Sequence, residues 1–145
     1  MKHVVSVSLG SSSRDHKVTV ELLGQSIIME RIGTDGDVKR AIELYEDLDG
    51  KVDALGVGGA VLSFDALDRS YELSAVRKMI KNVRHTPVVD GTGFKSIMER
   101  RIMQYVEGKI GDVIRPKTGM ITSAVDRLGL ALSFYEAGYD MVYAD

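Results

Sequence analysis

The chain is punctuated by glycine, and that punctuation limits what it can fold into. Fifteen glycines, against two prolines, fall between short apolar runs rather than inside them. Residues 3–9 form a short apolar run bounded by Gly10-Ser11-Ser12-Ser13. Residues 17–23 alternate, with Val18, Val20 and Leu22 on one face, and residues 26–32 follow after Gly24-Gln25. A glycine-containing connection of two residues between alternating runs is a hairpin signal. The opening thus predicts three strands.

The rhythm then changes to helical spacing. Over residues 37–48, Val38, Ala41, Ile42, Leu44, Tyr45 and Leu48 recur near a 3.6-residue period, and Gly50 supplies a stop. Further along, strands are predicted at 52–57, 86–89, 120–124 and 140–143, and helices at 74–83 (capped by Ser74), 94–106 and 126–137. Residues 60–73 fit neither period and read as an excursion, with a hairpin around Asp65-Ala66-Leu67-Asp68. Strands alternating with helices imply a parallel sheet covered on both faces. The expected fold is α/β: a three-layer, Rossmann-like, mostly parallel sheet with an N-terminal β-hairpin, in a single domain over residues 1–145. The last strand stops at Asp145, which reads equally as a natural edge strand or as a cut in a longer protein.

Composition narrows the functional classes. Nineteen basic and 21 acidic side chains leave a net charge of −2, with no general pull toward nucleic acid. The basic residues Arg77, Lys78, Lys81, Arg84, Lys95, Arg100 and Arg101 lack interleaved aromatics and read as solvated helix faces. No cysteine is present, which excludes disulfide scaffolds and thiol catalysis. The histidines, His3, His16 and His85, have no metal-ligand spacing, so no metal is expected. No apolar run approaches the roughly 18 residues of a membrane span, and residues 1–8 lack a signal-peptide core. A cytoplasmic setting without membrane partners is the default reading, with self-association left open.

Ligands of open α/β sheets collect outside the carboxyl ends of the parallel strands. Five loops are predicted on that edge. The first, Gly10-Ser11-Ser12-Ser13-Arg14, offers hydroxyl, N–H and guanidinium donors to an oxyanion, and Asp15-His16 suits an acid–imidazole pair. Its competing reading is a hydrated hairpin loop. The second, Gly33-Thr34-Asp35-Gly36-Asp37, is assigned first to capping the helix that follows. The third is Gly56-Val57-Gly58-Gly59; with Ala60-Val61 it begins like G-x-G-x-x-G but has Val61 where the third glycine belongs. In Asp90-Gly91-Thr92-Gly93, Thr92 and Gly93 suit a substrate oxygen, Lys95 supplies charge and Asp90 accepts from a hydroxyl; helix capping by Thr92 competes. The fifth is Ser123-Ala124-Val125-Asp126-Arg127. Residues 120–145 have the β-α-β order of a dinucleotide half-site, with Asp145 about 20 residues past the turn, where an acid binds a ribose hydroxyl. That turn has no glycine before Gly129. The partner expected from these loops is a small polar or anionic molecule.

Several strings together resemble a bacterial, largely clostridial, family known as quinate 5-dehydrogenases. They are Val4-Val5-Ser6-Val7-Ser8-Leu9-Gly10-Ser11-Ser12-Ser13-Arg14-Asp15-His16, Glu30-Arg31-Ile32-Gly33-Thr34-Asp35-Gly36-Asp37, Thr86-Pro87-Val88-Val89-Asp90-Gly91-Thr92-Gly93, Glu99-Arg100-Arg101 and Ser123-Ala124-Val125-Asp126-Arg127. The resemblance spans nearly the whole chain and implies oxidation of a cyclitol carboxylate with NAD or NADP. Members are about twice this long, which implies a fragment or shortened form of a two-part protein. On this reading a hydroxy acid sits near Gly10, Ser11, Ser12, Ser13, Arg14, His16, Thr92 and Gly93. Lys95, Asp90 and Lys117 are the catalytic candidates, and Ser123, Asp126, Arg127 and Asp145 hold the nucleotide. Val113-Ile114-Arg115-Pro116-Lys117 is similar to the lysine string of shikimate and quinate dehydrogenases, whereas their glycine-rich turn is missing. The alternative is a non-catalytic α/β module that binds a small ligand or a protein through the same loops.

Overall fold

The computed structural model of the chain describes residues 1–66, 69–111 and 113–145. These fall into two compact units, Met1–Phe64 with Ser70–Gly91 and Asp65–Arg69 with Thr92–Asp145. The first opens with β1 (Lys2–Ser8), a single 3-10 turn at Ser12–Arg14, β2 (His16–Leu22) and β3 (Gln25–Gly33). Helix α1 (Val38–Leu48) and β4 (Ala54–Gly58) follow. Next come β5 (Ser63–Ala66) and β6 (Arg69–Glu72), of which Asp65, Ala66 and Arg69 belong to the second unit, then α2 (Ser74–Met79) and β7 (Val88–Val89).

Five of these strands form one sheet in the order β2-β3-β1-β4-β7. β3, β1, β4 and β7 run parallel, and β2 pairs antiparallel with β3. The expected mostly parallel sheet and antiparallel N-terminal hairpin are both present. The hairpin turns at Leu23-Gly24, one residue earlier than expected. Both residues take positive φ, 52° and 74°, the two-residue turn whose twist matches its flanking strands. β5 and β6 pair with each other, as the excursion suggested, with the Phe64 and Tyr71 rings stacked at 5.2 Å. Leu67 and Asp68 of the expected turn lie outside the described residues.

Side-chain alternation along β1 sorts the two faces of the sheet. Val5 and Val7 point to one side with Leu55 and Val57 of β4, and there they bury Ala41 and Tyr45 of α1 and Val76 and Met79 of α2. Burying one such side chain contributes about 1.5–3 kcal/mol. Both helices of this unit therefore cover the same face. Tyr45 is fully buried, and its hydroxyl reaches the carbonyls of Val7 (3.0 Å) and Gly56 (3.3 Å). Burial pushes its phenol pKa up. On the other face Ser6 and Ser8 of β1 stand in register with Arg31 and Gly33 of β3 and with Gly56 and Gly58 of β4.

Local capping sets the helix ends. Asp37 caps α1 by accepting the Arg40 N–H at 3.0 Å. At its far end, Asp49 accepts the backbone N–H groups of Arg84 (2.7 Å), His85 (2.9 Å) and Thr86 (2.7 Å). Burial pushes the Asp49 carboxyl pKa up, but those three donors outweigh it and hold it down to about 2. This clamp explains a correction to α2. The helix ends at Met79 rather than at 83, because Val83 N–H closes a turn onto the Ile80 carbonyl and delivers 84–86 to Asp49. The N-cap of α2 is Leu73, not Ser74, and its carbonyl takes the N–H groups of Val76 and Arg77.

The second unit contains α3 (Thr92–Ile110), β8 (Thr118–Ile121), α4 (Leu128–Glu136) and β9 (Asp140–Tyr143). β8 and β9 pair in parallel from Thr118↔Asp140 to Ile121↔Tyr143, with α4 between them in the chain. The β-α-β order expected for residues 120–145 is therefore formed, and β9 has the expected bounds. Ser133, almost fully buried on α4, accepts the Met103 N–H of α3 at 3.1 Å. The Tyr139 ring meets Phe134 edge-on at 5.0 Å. None of the described helices is long and apolar enough to cross a membrane.

Candidate functional site

The parallel strands of the first unit end at Ser8, Gly33, Gly58 and Val89, so the loops after them share one edge of the sheet. From β1 the chain moves to β3 on one side, then returns by α1 to β4 on the other. The order thus reverses between β1 and β4, the switch point where open α/β sheets leave a crevice.

The loop after β1 is knitted to its surroundings by its own polar groups. Thr34 N–H donates to the Ser8 carbonyl (2.8 Å), Asp35 N–H to Gly10 (3.1 Å) and Gly36 N–H to Leu9 (2.8 Å). Asp35, in the left-handed region at φ 53°, accepts the Ser12 N–H at 2.8 Å. Backbone and hydroxyl donors of Ser12 hold the Asp35 carboxyl below the usual carboxylate range. The Ser11 and Ser13 hydroxyls pair at 2.8 Å, and Ser13 N–H donates to Ser11 Oγ at 3.2 Å. The seat offered by the Ser12 amide is thus filled by an internal carboxylate.

Two glycines let this loop sit where it does. A Cβ on Gly33 would lie 2.6 Å from both the Ser11 carbonyl oxygen and the Ser12 nitrogen, backbone against backbone. One on Gly58 would lie 2.7 Å from Ser8 Cβ and 3.0 Å from Ser6 Oγ. Each close approach excludes any side chain.

Against this floor stands a set of unspent donors. Arg31 donates from Nη1 to the Ser11 carbonyl (3.0 Å) and to Asp15 (2.9 Å), and from Nη2 to Ser8 Oγ (3.0 Å). Arg14 converges on the same place, since a Cβ on Gly10 would lie 2.5 Å from Arg14 Nη2 and 3.0 Å from Arg31 Nη2. Among the described residues, Arg14 has no ion pair or side-chain hydrogen bond. Ser8 is 4% exposed. Its oxygen accepts from Gly10 N–H (3.1 Å) and from Arg31, and no described residue accepts its own proton. Gly59 completes the wall, its Cβ position 3.4 Å from both Gly10 N and Ser8 Oγ.

The residues expected from the sequence sort as follows. Gly10, Ser11, Ser12, Ser13 and Arg14 come together in the loop after β1. His16 stands opposite Arg31 across the β2–β3 pair. The acid–imidazole pair does not form: Asp15 instead takes Arg31 and the Gly33 N–H (2.6 Å). Asp90 accepts the Leu62 N–H at 2.7 Å. Thr92 and Gly93 are the first residues of α3, in the second unit. There Lys95 donates to the Asp126 carbonyl (2.6 Å) and carboxylate (3.1 Å), joining a catalytic to a nucleotide candidate. Lys117 binds Glu107 (2.7 Å) and the Ala137 carbonyl (3.0 Å). Arg127 pairs with Glu99 at 2.8 Å, which pushes its pKa up. Asp145 accepts the Val125 N–H at 3.0 Å, folding back on the turn after β8. Beside that turn lies a cavity of about 400 Å³ lined by Val125, Leu128, Ala131, Leu132, Tyr135 and Tyr143. It is apolar, unlike a pyrophosphate seat.

The sequence gives no role to Ser8 or Arg31, whereas Gly58 and Gly59 belong to the third loop expected on this edge. The alternation of β1 placed Ser8 away from the apolar face, and that was the available signal. Among the described residues, no group of three or more acidic or histidine side chains is placed to hold a metal.

No curated protein and no solved structure matches the chain. Residues 3–90, which take in every residue of the β1–β4 crevice named above, match the family described as a domain of unknown function, DUF8753. The match covers more than half of the chain, which therefore belongs to that family.

Proposed function

We propose that the chain is a small-molecule-binding α/β module whose ligand presents an anionic group to the crevice between the carboxyl ends of β1 and β4. One observation carries this reading: Arg14 and Arg31 converge on Gly10 beside a buried Ser8 hydroxyl with an unspent proton. Charge-assisted hydrogen bonds from a guanidinium are among the strongest a folded protein offers an anion. Glycines on the floor admit close approach, and the elements around the crevice are held by the strand ends. Thermal unfolding in a panel of small anions at constant ionic strength tests the reading. A concentration-dependent rise in midpoint is expected for at least one anion. Equal midpoints throughout would remove the proposal.

A second reading is NAD(P)-linked oxidation of a hydroxy acid in a three-layer Rossmann-like arrangement, as the resemblance to quinate dehydrogenases implies. The formed β8-α4-β9 unit favours it. On this reading the anion in the crevice is the substrate's own, the nucleotide lies near Ser123, Asp126 and Arg127, and the setting is cytoplasmic. Fluorescence titration with NADH and NADPH decides it. Failure of both to bind leaves the binding module alone.

A further inference from the structure

Resting on the anion-site reading above, we infer that the group bound in the β1–β4 crevice is a carboxylate, gripped fork to fork by Arg14. The charges around the site favour a single negative charge. Arg31 is already neutralised by Asp15 at 2.9 Å. Asp35 adds a carboxylate on Ser12 of the same loop. Arg14 is thus the one guanidinium of the loop whose charge is uncompensated among the described residues. A phosphate dianion would face both neighbouring carboxylates with only Arg14 not already paired to offset it. No α-helix starts from the loop either, because the turn at Ser12–Arg14 leads straight into β2, so no helix dipole assists a second charge.

Donor geometry points the same way. Arg31 uses both Nη1 protons and one Nη2 proton on protein acceptors. That leaves the Nε proton and one Nη2 proton of Arg31, the Ser8 proton and the guanidinium of Arg14. A planar carboxylate accepts two parallel N–H bonds from Arg14, and its outer lone pairs remain for Ser8 and Arg31.

The test uses the intact chain and two probes, sodium acetate and inorganic phosphate at pH 8, with sodium chloride at matched ionic strength. Apparent Kd values come from the concentration dependence of the unfolding midpoint, for wild type, Arg14→Gln and Arg14→Lys. Acetate is expected to bind at least threefold tighter than phosphate. Arg14→Gln is expected to weaken acetate at least tenfold while its midpoint in chloride stays at the wild-type value. Arg14→Lys keeps the charge but loses the fork, and recovers only a minor part of the affinity. Phosphate binding as tightly as acetate overturns the carboxylate assignment and leaves the anion site standing. Acetate affinity unchanged in Arg14→Gln overturns the role of Arg14. No effect of either probe beyond chloride overturns the anion site itself.

Discussion

Two turns at strand ends, one after β1 and one after β8, carry similar polar residues and end up in different states. After β8, the turn's charges are spent on one another: Lys95 on Asp126, Arg127 on Glu99, Asp145 on the Val125 amide. The space beside it is apolar. After β1, internal bonds fix the loop but leave Arg14 and the Ser8 proton uncommitted at the centre of the strand ends. Residue type alone does not make an anion site; what matters is which donors remain after the fold has used its share.

The largest way to break this difference is Gly33→Ala. Its Cβ meets the backbone of Ser11 and Ser12 at 2.6 Å, neither of which can move without displacing the loop. A loss of about 1–3 kcal/mol, the usual range for overpacking, is expected in urea unfolding, together with loss of anion-dependent stabilisation. An unaltered urea midpoint would mean that the loop is not seated as described.

Asp35→Asn separates seating from binding. It keeps an acceptor for Ser12 N–H but removes one of the two carboxylates beside the site, so the preference for acetate over phosphate is expected to shrink about threefold, a smaller effect than Arg14→Gln has on acetate. An unchanged preference would show that the Asp35 charge takes no part in it.

The Asp49 clamp supplies a control far from both turns in the chain. Its carboxyl pKa is lowered in the folded protein to about 2, against about 3.9 for an ordinary aspartate. A lowered folded value stabilises above the unfolded pKa and is lost as pH falls through the folded one. The urea midpoint of wild type is therefore expected to drop between about pH 4 and pH 2, and Asp49→Asn to flatten part of that drop. Identical acid profiles would contradict the clamp.

The smallest effect belongs to the turn after β8. Lys95→Met removes an ion pair whose partner, Asp126, is largely exposed, worth about 0.2–1 kcal/mol. Acetate affinity is expected to stay at the wild-type value. A several-fold change in that affinity would break the distinction between the two turns.

Much of the first unit was legible because its signals are local. The alternation of β2 and β3, the helical period before Gly50 and the Asp37 cap all come from neighbours in sequence. The hairpin turn was displaced by one residue because Leu23 adopts positive φ, which a leucine rarely does. That displacement shifts the pairing by two residues and hides that His16 stands opposite Arg31. Arg31 was given no role because the parallel register of β1 with β3 is set by contacts distant in sequence. The early end of α2 has the same origin, in Asp49 reaching residues some 35 positions away. The serine loop is rich in donors by residue type, but its bond from Ser12 N–H to Asp35, 23 residues away, is set by the fold.

The most direct measurement is a ¹H–¹⁵N titration of the intact chain with sodium acetate, reading both turns in one sample. The Gly10 and Gly59 amides are expected to shift saturably, while those of Val125 and Arg127 follow the chloride control. Saturable shifts at Val125 and Arg127, with Gly10 and Gly59 unmoved, would contradict the assignment of the anion site to the β1–β4 crevice.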